Sequence, residues 1–402
     1  MPDKKDKTKN ETKGLRLYIR TFGCQMNIRD SELVCGLLGN AGYKMVEEPQ
    51  DAGVIIINTC SVRQHAEDRV WSVIGAYKKE QLKRKGKLGE ISIIGLIGCM
   101  AQNYKEQVFE KSPDVDFVVG PADIHKIPDI IDTLIKNKGL FEKKIWETDG
   151  LKRPEHIYHD IGYDSKKHTY VVISEGCSNF CSYCVVPFVR GALRHRSHKN
   201  IIKEINEALD KGVTSVTLLG QNVNSYQDGA VDFVKLLELV NSLKGLKEFN
   251  FLTSHPKDTT TDLFKAIASL GKLKKELHLP LQSGSDRILK LMNRGYTSKY
   301  YLNLTQNYRK IVKNGLLSSD VILGFPSESE ADFKDTLNLL KQIKFNAAYI
   351  FKYSPRPQTK AMALPDDVSK AEKEGRHKTI LDLQRAISKS KVIPQKSPLN
   401  AK

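Results

Sequence analysis

Two long series, in each of which apolar runs alternate with helical repeats, constrain this chain more than any other feature. In the first, the alternating run Leu15-Arg-Leu-Tyr-Ile-Arg20 predicts a strand. Ser31 then opens a periodic helix through Leu33, Val34, Leu37 and Leu38 that ends near Gly42. The pattern recurs as strands over 54–57, 91–97 and 115–119, followed by helices over 65–79, near 104–110 and over 124–135. A parallel strand pair needs a crossover, and crossover helices cover both faces of the sheet, so the fold class is α/β with an N-terminal doubly wound parallel sheet over 14–140. The lysine-rich residues 1–13 are expected to be a disordered basic N-terminus.

Periodicity fades over 141–167, which predicts a linker. A second series follows, with strands over 170–174, 215–219, 248–252, 276–281, 318–323 and 347–351 and helical patterns such as 201–209, 233–240 and 333–343 between them. An eight-fold (β/α) barrel needs about 250 residues, so six strands in about 185 residues predict a partial (β/α)6 barrel over 168–366. A helix over 367–390 and a polar tail over 391–402 are expected to close the chain.

Lys and Arg number 64 against 47 Asp and Glu, a net charge of +17, which favours a polyanionic partner. No run reaches the roughly 18 apolar residues of a membrane span, and the polar N-terminus lacks the apolar core of a secretion signal. A cytoplasmic location is therefore expected, where the seven cysteines stay reduced and serve metal or catalysis rather than a disulfide framework.

Cys177, Cys181 and Cys184 stand in Cx3Cx2C spacing after the first strand of the second series. Zinc in a structural site takes four protein ligands, and His195 or His198 could complete such a set. An iron–sulfur cluster held by three thiolates instead keeps one iron open. Cys24, Cys60 and Cys99 each follow a predicted strand of the first series. In open parallel sheets the strand carboxyl ends form the ligand-binding edge, so these three thiols can converge on a second metal site although 36 and 39 residues separate them. Cys35 lies inside the first helix on its apolar side and is expected to pack rather than ligate.

The stretch Gly-Cys177-Ser-Asn-Phe-Cys181-Ser-Tyr-Cys184 resembles the signature of the radical S-adenosylmethionine superfamily. Thr21-Phe-Gly-Cys-Gln-Met-Asn27, Asn58-Thr-Cys-Ser-Val-Arg63 and Gly98-Cys-Met-Ala-Gln102 are similar to the amino-terminal cysteine motifs of the methylthiotransferases within it. The resemblance runs from about residue 15 to about 385 and includes Leu218-Leu-Gly-Gln-Asn-Val-Asn-Ser-Tyr226, Thr253-Ser-His-Pro256 and Asp320-Val-Ile-Leu-Gly-Phe-Pro326. Gln25-Met26-Asn27 favours the branch acting on isopentenyladenosine beside the tRNA anticodon. Sister branches act on threonylcarbamoyladenosine in tRNA or on a ribosomal-protein aspartate, and a non-catalytic metal-stabilised RNA-binding protein is the reading from another class.

The resemblance implies two 4Fe-4S clusters and S-adenosylmethionine. Cys177, Cys181 and Cys184 would hold the cluster that binds and cleaves S-adenosylmethionine, and Cys24, Cys60 and Cys99 an auxiliary cluster that supplies sulfur. Gly220, Gln221, Asn222, Asn224, Ser254, His255, Gln282, Gly324 and Pro326, at predicted strand ends, would line the cofactor and nucleoside pocket, with no acid–base role for His255. Arg190, Arg194, Arg196 and Lys199 would meet tRNA phosphates. Implied partners are a tRNA carrying isopentenyladenosine, a flavodoxin- or ferredoxin-type electron donor and the iron–sulfur assembly machinery, with the protein a monomer. The small β-barrel RNA-binding TRAM domain common in the family is expected to be absent.

Overall fold

The computed structural model describes residues 16–61, 67–77, 79, 92–137, 144–150, 152–159 and 167–390. The expected basic N-terminus and polar tail lie outside these residues. Among these residues two compact units emerge, one of those up to 177 with 185–194 and 199–213, the other of 178–184, 195–198 and 214–390.

The first unit is built on a six-stranded sheet, β1 (Arg16–Phe22), β2 (Lys44–Met45), β3 (Val54–Thr59), β4 (Ile93–Gly98), β5 (Phe117–Val119) and β6 (Ile145–Glu147). Its spatial order is β2-β1-β3-β4-β5-β6, and all neighbours are parallel. Every residue of β3 and β4 is buried, as strands covered on both faces must be, which is why they read as unbroken apolar runs. The covering helices are α1 (Gln25–Asn40), α2 (67–77), α3 (Cys99–Tyr104), α4 (Gln107–Lys111) and α5 (Ile127–Lys136). Gly95 admits the Phe117 ring where its own Cβ would stand. Then come β7 (His168–Val172), β8 (Ser174–Glu175), α6 (Val186–Arg190), β9 (Arg194–His195) and α7 (His198–Asp210).

Two expectations need correction here. Helix α1 begins at Gln25, not Ser31, because Asn27 and Asp30 in its first turns are held by hydrogen bonds to buried partners that no apolar period reveals. The expected linker over 141–167 contains β6, whose Ile145 pairs in register with Phe117, and a 3-10 turn with Ile157 and Tyr158 buried. A three-residue edge strand is too short to show alternation in the sequence.

In the second unit, β10 (Ser215–Leu219) pairs in parallel with β13 (Glu248–Phe251), and β14 (Glu276–His278), β15 (Leu316–Leu323) and β16 (Ala347–Lys352) form a second parallel sheet. A two-stranded ribbon, β11 (Gln227–Asp228) with β12 (Val231–Asp232), sits between β10 and β13 in sequence. The gap between the parallel sheets is crossed by the bridge Phe249–Leu273 and by Asn250, whose Nδ2 donates to Glu276 Oε1 at 2.8 Å. These are five of the six expected barrel strands. The helices are α8 (Phe233–Ser242), α9 (Thr261–Ser269), α10 (Asp286–Leu291), α11 (Ser298–Ile311), α12 (Glu330–Ile343) and α13 (Lys370–Ser390). Asp232, Thr260, Ser285, Thr297 and Ser329 cap the first five by accepting backbone N–H groups. Alternation along β15 puts Leu317, Ser319, Val321 and Leu323 in the packed layer, with Ser318, Asp320 and Ile322 on the more open face.

Candidate active site

In the first unit the strand order reverses between β1 and β3, and the carboxyl ends at such a switch point form a ligand crevice. The register pairs Phe22 with Thr59 and Thr59 with Gly98. Cys24, Cys60 and Cys99 therefore lie one or two residues beyond the same rung. Cys24 is the N-cap residue of α1, and Cys99 opens α3. Asn27 Nδ2 donates to Asn58 Oδ1 at 3.0 Å and to the Thr59 carbonyl at 3.2 Å, tying the first two motifs together. A hydrogen bond with Cys60 pushes the Cys24 thiol down to about 6, with Arg190 adding to the effect. Burial pushes the Cys99 thiol up, against the pull of Arg190.

Arg190, on α6, donates through Nε to Cys99 Sγ at 3.3 Å and through NH2 to Asp30 Oδ2 at 2.7 Å. Asp30 Oδ1 in turn lies 2.7 Å from Arg153 NH1, which is 3.0 Å from Glu175 Oε1. Burial raises the pKa of the Asp30 carboxyl, but Arg153 and Arg190 overcome it and hold the group below its ordinary range. The Cys35 side chain lies elsewhere on α1 and is half-buried.

In the second unit the loop carrying Cys181 and Cys184 is pinned from α10 and the residues after it. Ser182 N–H donates to Met292 O at 3.0 Å, Ser182 Oγ to Leu291 O at 2.8 Å, and Asn293 Nδ2 to the carbonyls of Asn179 and Phe180. Arg294, 5% exposed, donates through NH1 to Cys181 Sγ at 3.3 Å, through NH2 to Pro280 O at 3.0 Å and through Nε to the Tyr296 hydroxyl at 2.9 Å. Cys177 belongs to the first unit, where its N–H donates to Gly191 O at 3.1 Å. Before it, Gly176 holds φ at +74°, and a Cβ there would lie 2.3 Å from Ala192 O.

The candidate cofactor residues of the second unit occupy strand ends. Asn222 Nδ2 donates to Asp258 at 2.6 Å, and Asn224 both donates to His255 O at 3.0 Å and accepts the His255 N–H at 2.9 Å. Gly324, at φ +67°, donates its N–H to buried Glu328 at 2.7 Å, and Pro326 is buried beside it. Five buried atoms of the candidate set lack a hydrogen-bond partner: Gln221 Oε1, Asn222 Oδ1, Ser254 Oγ, His255 Nε2 and Gln282 Oε1. Buried polar atoms are normally satisfied, so this group fits a polar ligand that would complete them. Burial, then Arg294 and Lys257, push His255 down to about 2, and its Nδ1 accepts the Lys257 N–H at 3.2 Å. The ring proton thus sits on Nε2, one of the five unpartnered atoms.

The basic residues do not form the phosphate-facing run expected of them. Arg190 and Arg196 are buried, 7% and 6% exposed, and Arg194 is half-buried, hydrogen-bonded to the carbonyls of Ala192 and Arg190. Lys199 alone of the four is exposed. The spacing of positive residues marks charge but not depth. Arg153, Arg294 and Tyr296 were missed, since they stand in segments with neither periodicity nor a cysteine. Among the described residues no three His, Cys, Asp or Glu side chains are grouped to hold a single metal ion.

Residues 16–120 match the family described as "Uncharacterized protein family UPF0004", and residues 171–340 match the "Radical SAM superfamily". The chain is 41% identical over 383 residues to a tRNA-2-methylthio-N(6)-dimethylallyladenosine synthase from Moorella thermoacetica, covering 93% of this chain and 83% of that protein. Proteins of the same name from Syntrophus aciditrophicus and Hydrogenobaculum sp. are 41% and 38% identical, covering 94% and 93% of this chain and 82% and 85% of theirs. Among solved structures, the radical S-adenosylmethionine methyltransferase TsrM from Kitasatospora setae is similar in fold, with a TM-score of 0.60 at 10% identity, covering 87% of this chain and 75% of that one. The cobalamin-dependent S-adenosylmethionine radical enzyme OxsB has a TM-score of 0.58 at 14% identity over 94% of this chain and 57% of its own.

Proposed function

The chain belongs to the tRNA-2-methylthio-N(6)-dimethylallyladenosine synthase family, and from that premise we propose that it converts N6-isopentenyladenosine beside the tRNA anticodon to its 2-methylthio derivative by radical C–H activation and sulfur insertion. The observation that carries this reading is the presence of two separate three-cysteine sets, each with a buried arginine donating to one of its sulfurs. Three protein thiolates leave one iron of a 4Fe-4S cluster without a protein ligand. Cys177, Cys181 and Cys184 are the ligands of the cluster that works with S-adenosylmethionine, and Cys24, Cys60 and Cys99 are those of the auxiliary one.

When bound, these groups supply a one-electron reductant, a carbon-centred hydrogen abstractor and a sulfur source. The protein's own residues position them. Arg294 holds the Cys181 sulfur while the Met292 and Leu291 carbonyls fix the loop by accepting from Ser182. Gln221, Asn222, Ser254, His255 and Gln282 offer donors and acceptors to S-adenosylmethionine and the nucleoside, and Asn224 steadies the His255 backbone. Gly220, Gly324 and Pro326 shape the same strand ends. Burial holds His255 well below the usual imidazole range, so the ring offers its unpartnered Nε2 to a ligand rather than serving as a proton store near neutral pH. A flavodoxin- or ferredoxin-type protein supplies electrons, the iron–sulfur assembly machinery loads the cysteines, and the work takes place in the cytoplasm. No helix among the described residues is long and apolar enough to cross a membrane.

Anaerobic reconstitution tests the proposal. About eight irons and eight sulfides per chain are expected from two 4Fe-4S clusters. Nucleoside mass spectrometry of tRNA from a strain lacking the gene should show the methylthio group lost, the isopentenyl group kept, and both present once this chain is restored. One zinc and no iron per chain would end it, as would restoration of methylthio on threonylcarbamoyladenosine alone.

A further inference from the structure

The resemblance implies that Arg190 meets tRNA phosphate, but its surroundings describe another task. Its guanidinium is buried, and it is shared between the Cys99 sulfur at 3.3 Å and Asp30 at 2.7 Å. A buried cation is retained only where anionic partners repay its desolvation. Asp30 has one negative charge for two guanidinium groups, because its other oxygen lies 2.7 Å from Arg153. Glu175 answers Arg153 from the far side at 3.0 Å and is itself approached by Arg194 at 3.7 Å. The chain Cys99–Arg190–Asp30–Arg153–Glu175 therefore alternates in charge, and its Cys99 end is the guanidinium of Arg190.

We propose that Arg190 is the positioning residue that compensates the charge and sets the reduction potential of the Cys24–Cys60–Cys99 centre, rather than an RNA contact. The inference rests on the reading of those three cysteines as iron–sulfur ligands. A 4Fe-4S core carrying three thiolates is net negative in both of its usual states and more so when reduced. A fixed positive donor on one sulfur favours the reduced state and raises the potential, since hydrogen bonds to sulfur and local net charge are the protein's levers on it. Asp30 acts in the opposite direction by neutralising Arg190. The planar fork of arginine also suits the geometry, with Nε directed to sulfur and NH2 to carboxylate.

The test uses the full chain with Cys177, Cys181 and Cys184 replaced by Ala, so that only the auxiliary set can hold iron. After anaerobic loading with ferrous iron and sulfide, the one-electron couple is titrated against mediators and followed by electron paramagnetic resonance. Arg190→Gln should lower the reduced-to-oxidised ratio at fixed potential about tenfold, equivalent to about 59 mV for a one-electron couple. Asp30→Asn should raise that ratio, and Arg190→Lys should stay near the parent. Opposite shifts separate charge compensation from a merely structural role, which would change iron content without moving the two potentials apart. If Arg190→Gln holds no iron, Arg190→Lys and Asp30→Asn carry the test, and an Asp30→Asn potential that is unshifted or lowered overturns the proposal. Unchanged potentials in both Arg190→Gln and Asp30→Asn also overturn it. Absence of iron in the parent with Arg190 intact would instead refute the reading of the three cysteines.

Discussion

Asn27 and Asn58 exchange hydrogen bonds across the switch point of the first sheet: Asn27 Nδ2 donates to Asn58 Oδ1 at 3.0 Å, and Asn58 Nδ2 returns one to the Asn27 carbonyl at 2.8 Å. The pair joins the residues flanking Cys24 and Cys60. It also fixes the space available to the third motif, since a Cβ on Gly98 would lie 2.4 Å from Asn58 Oδ1 and 2.6 Å from the Thr59 carbonyl.

Gly98 stands at φ +92°, where an L side chain is strained as well as crowded. Gly98→Ala should destabilise the protein by about 1–3 kcal/mol, the usual cost of such backbone strain. Thermal unfolding of the apoprotein reads the loss. Iron content after reconstitution should fall from about eight towards four per chain, because the disturbed rung carries only the auxiliary set.

Replacement of Cys177, Cys181 or Cys184 by Ala should abolish S-adenosylmethionine cleavage, measured as 5'-deoxyadenosine release. Replacement of Cys24, Cys60 or Cys99 should leave that release in place while methylthiolated nucleoside disappears. Cys35→Ala should change neither iron content nor product, and loss of four irons there would show that another thiol serves the auxiliary set.

Arg294 satisfies Cys181 Sγ, the Pro280 carbonyl and the Tyr296 hydroxyl from one buried guanidinium. Arg294→Gln cannot reach all three, and each buried group left unpaired costs about 1–3 kcal/mol. Both a lower Tm in the apoprotein and a weaker S-adenosylmethionine-dependent spectral change of the reconstituted cluster are expected. An unchanged Tm would mean that the loop is held by its backbone bonds alone.

Asp332 gives the protein an acid limb. Burial raises the pKa of its carboxyl, but hydrogen bonds from Arg287, Ser285 and Ser329 overcome this and hold it well below the usual carboxylate range. A carboxyl depressed in the folded state stabilises the protein above its unfolded value near 3.9, and that stabilisation is lost as pH falls through the folded value. Asp332→Asn should therefore lower Tm at neutral pH and flatten the decline of Tm below about pH 4. Parallel Tm–pH profiles for the two proteins would refute the assignment.

Lys199 is the exposed member of the four basic residues assigned to tRNA. Lys199→Ala should weaken all RNAs alike and reduce the slope of log affinity against log salt by about one. Arg190→Gln, at a buried position, should leave that slope unchanged.

The parallel sheet and the strand ends that carry Cys24, Cys60 and Cys99 were legible in the chain, because apolar periodicity is a local property. Strand Ile145–Glu147 and the early start of the first helix were not, since three residues hold no period and Asn27 and Asp30 in the first helical turns find partners distant in sequence. The basic residues show the same limit most clearly. Sequence counts charges without their depth, and desolvation depends on what else fills the space around them. Arg190 and Arg294 acquire their partners through folding: one comes to rest 3.3 Å from Cys99, 91 residues away, and the other 3.3 Å from Cys181, 113 residues away.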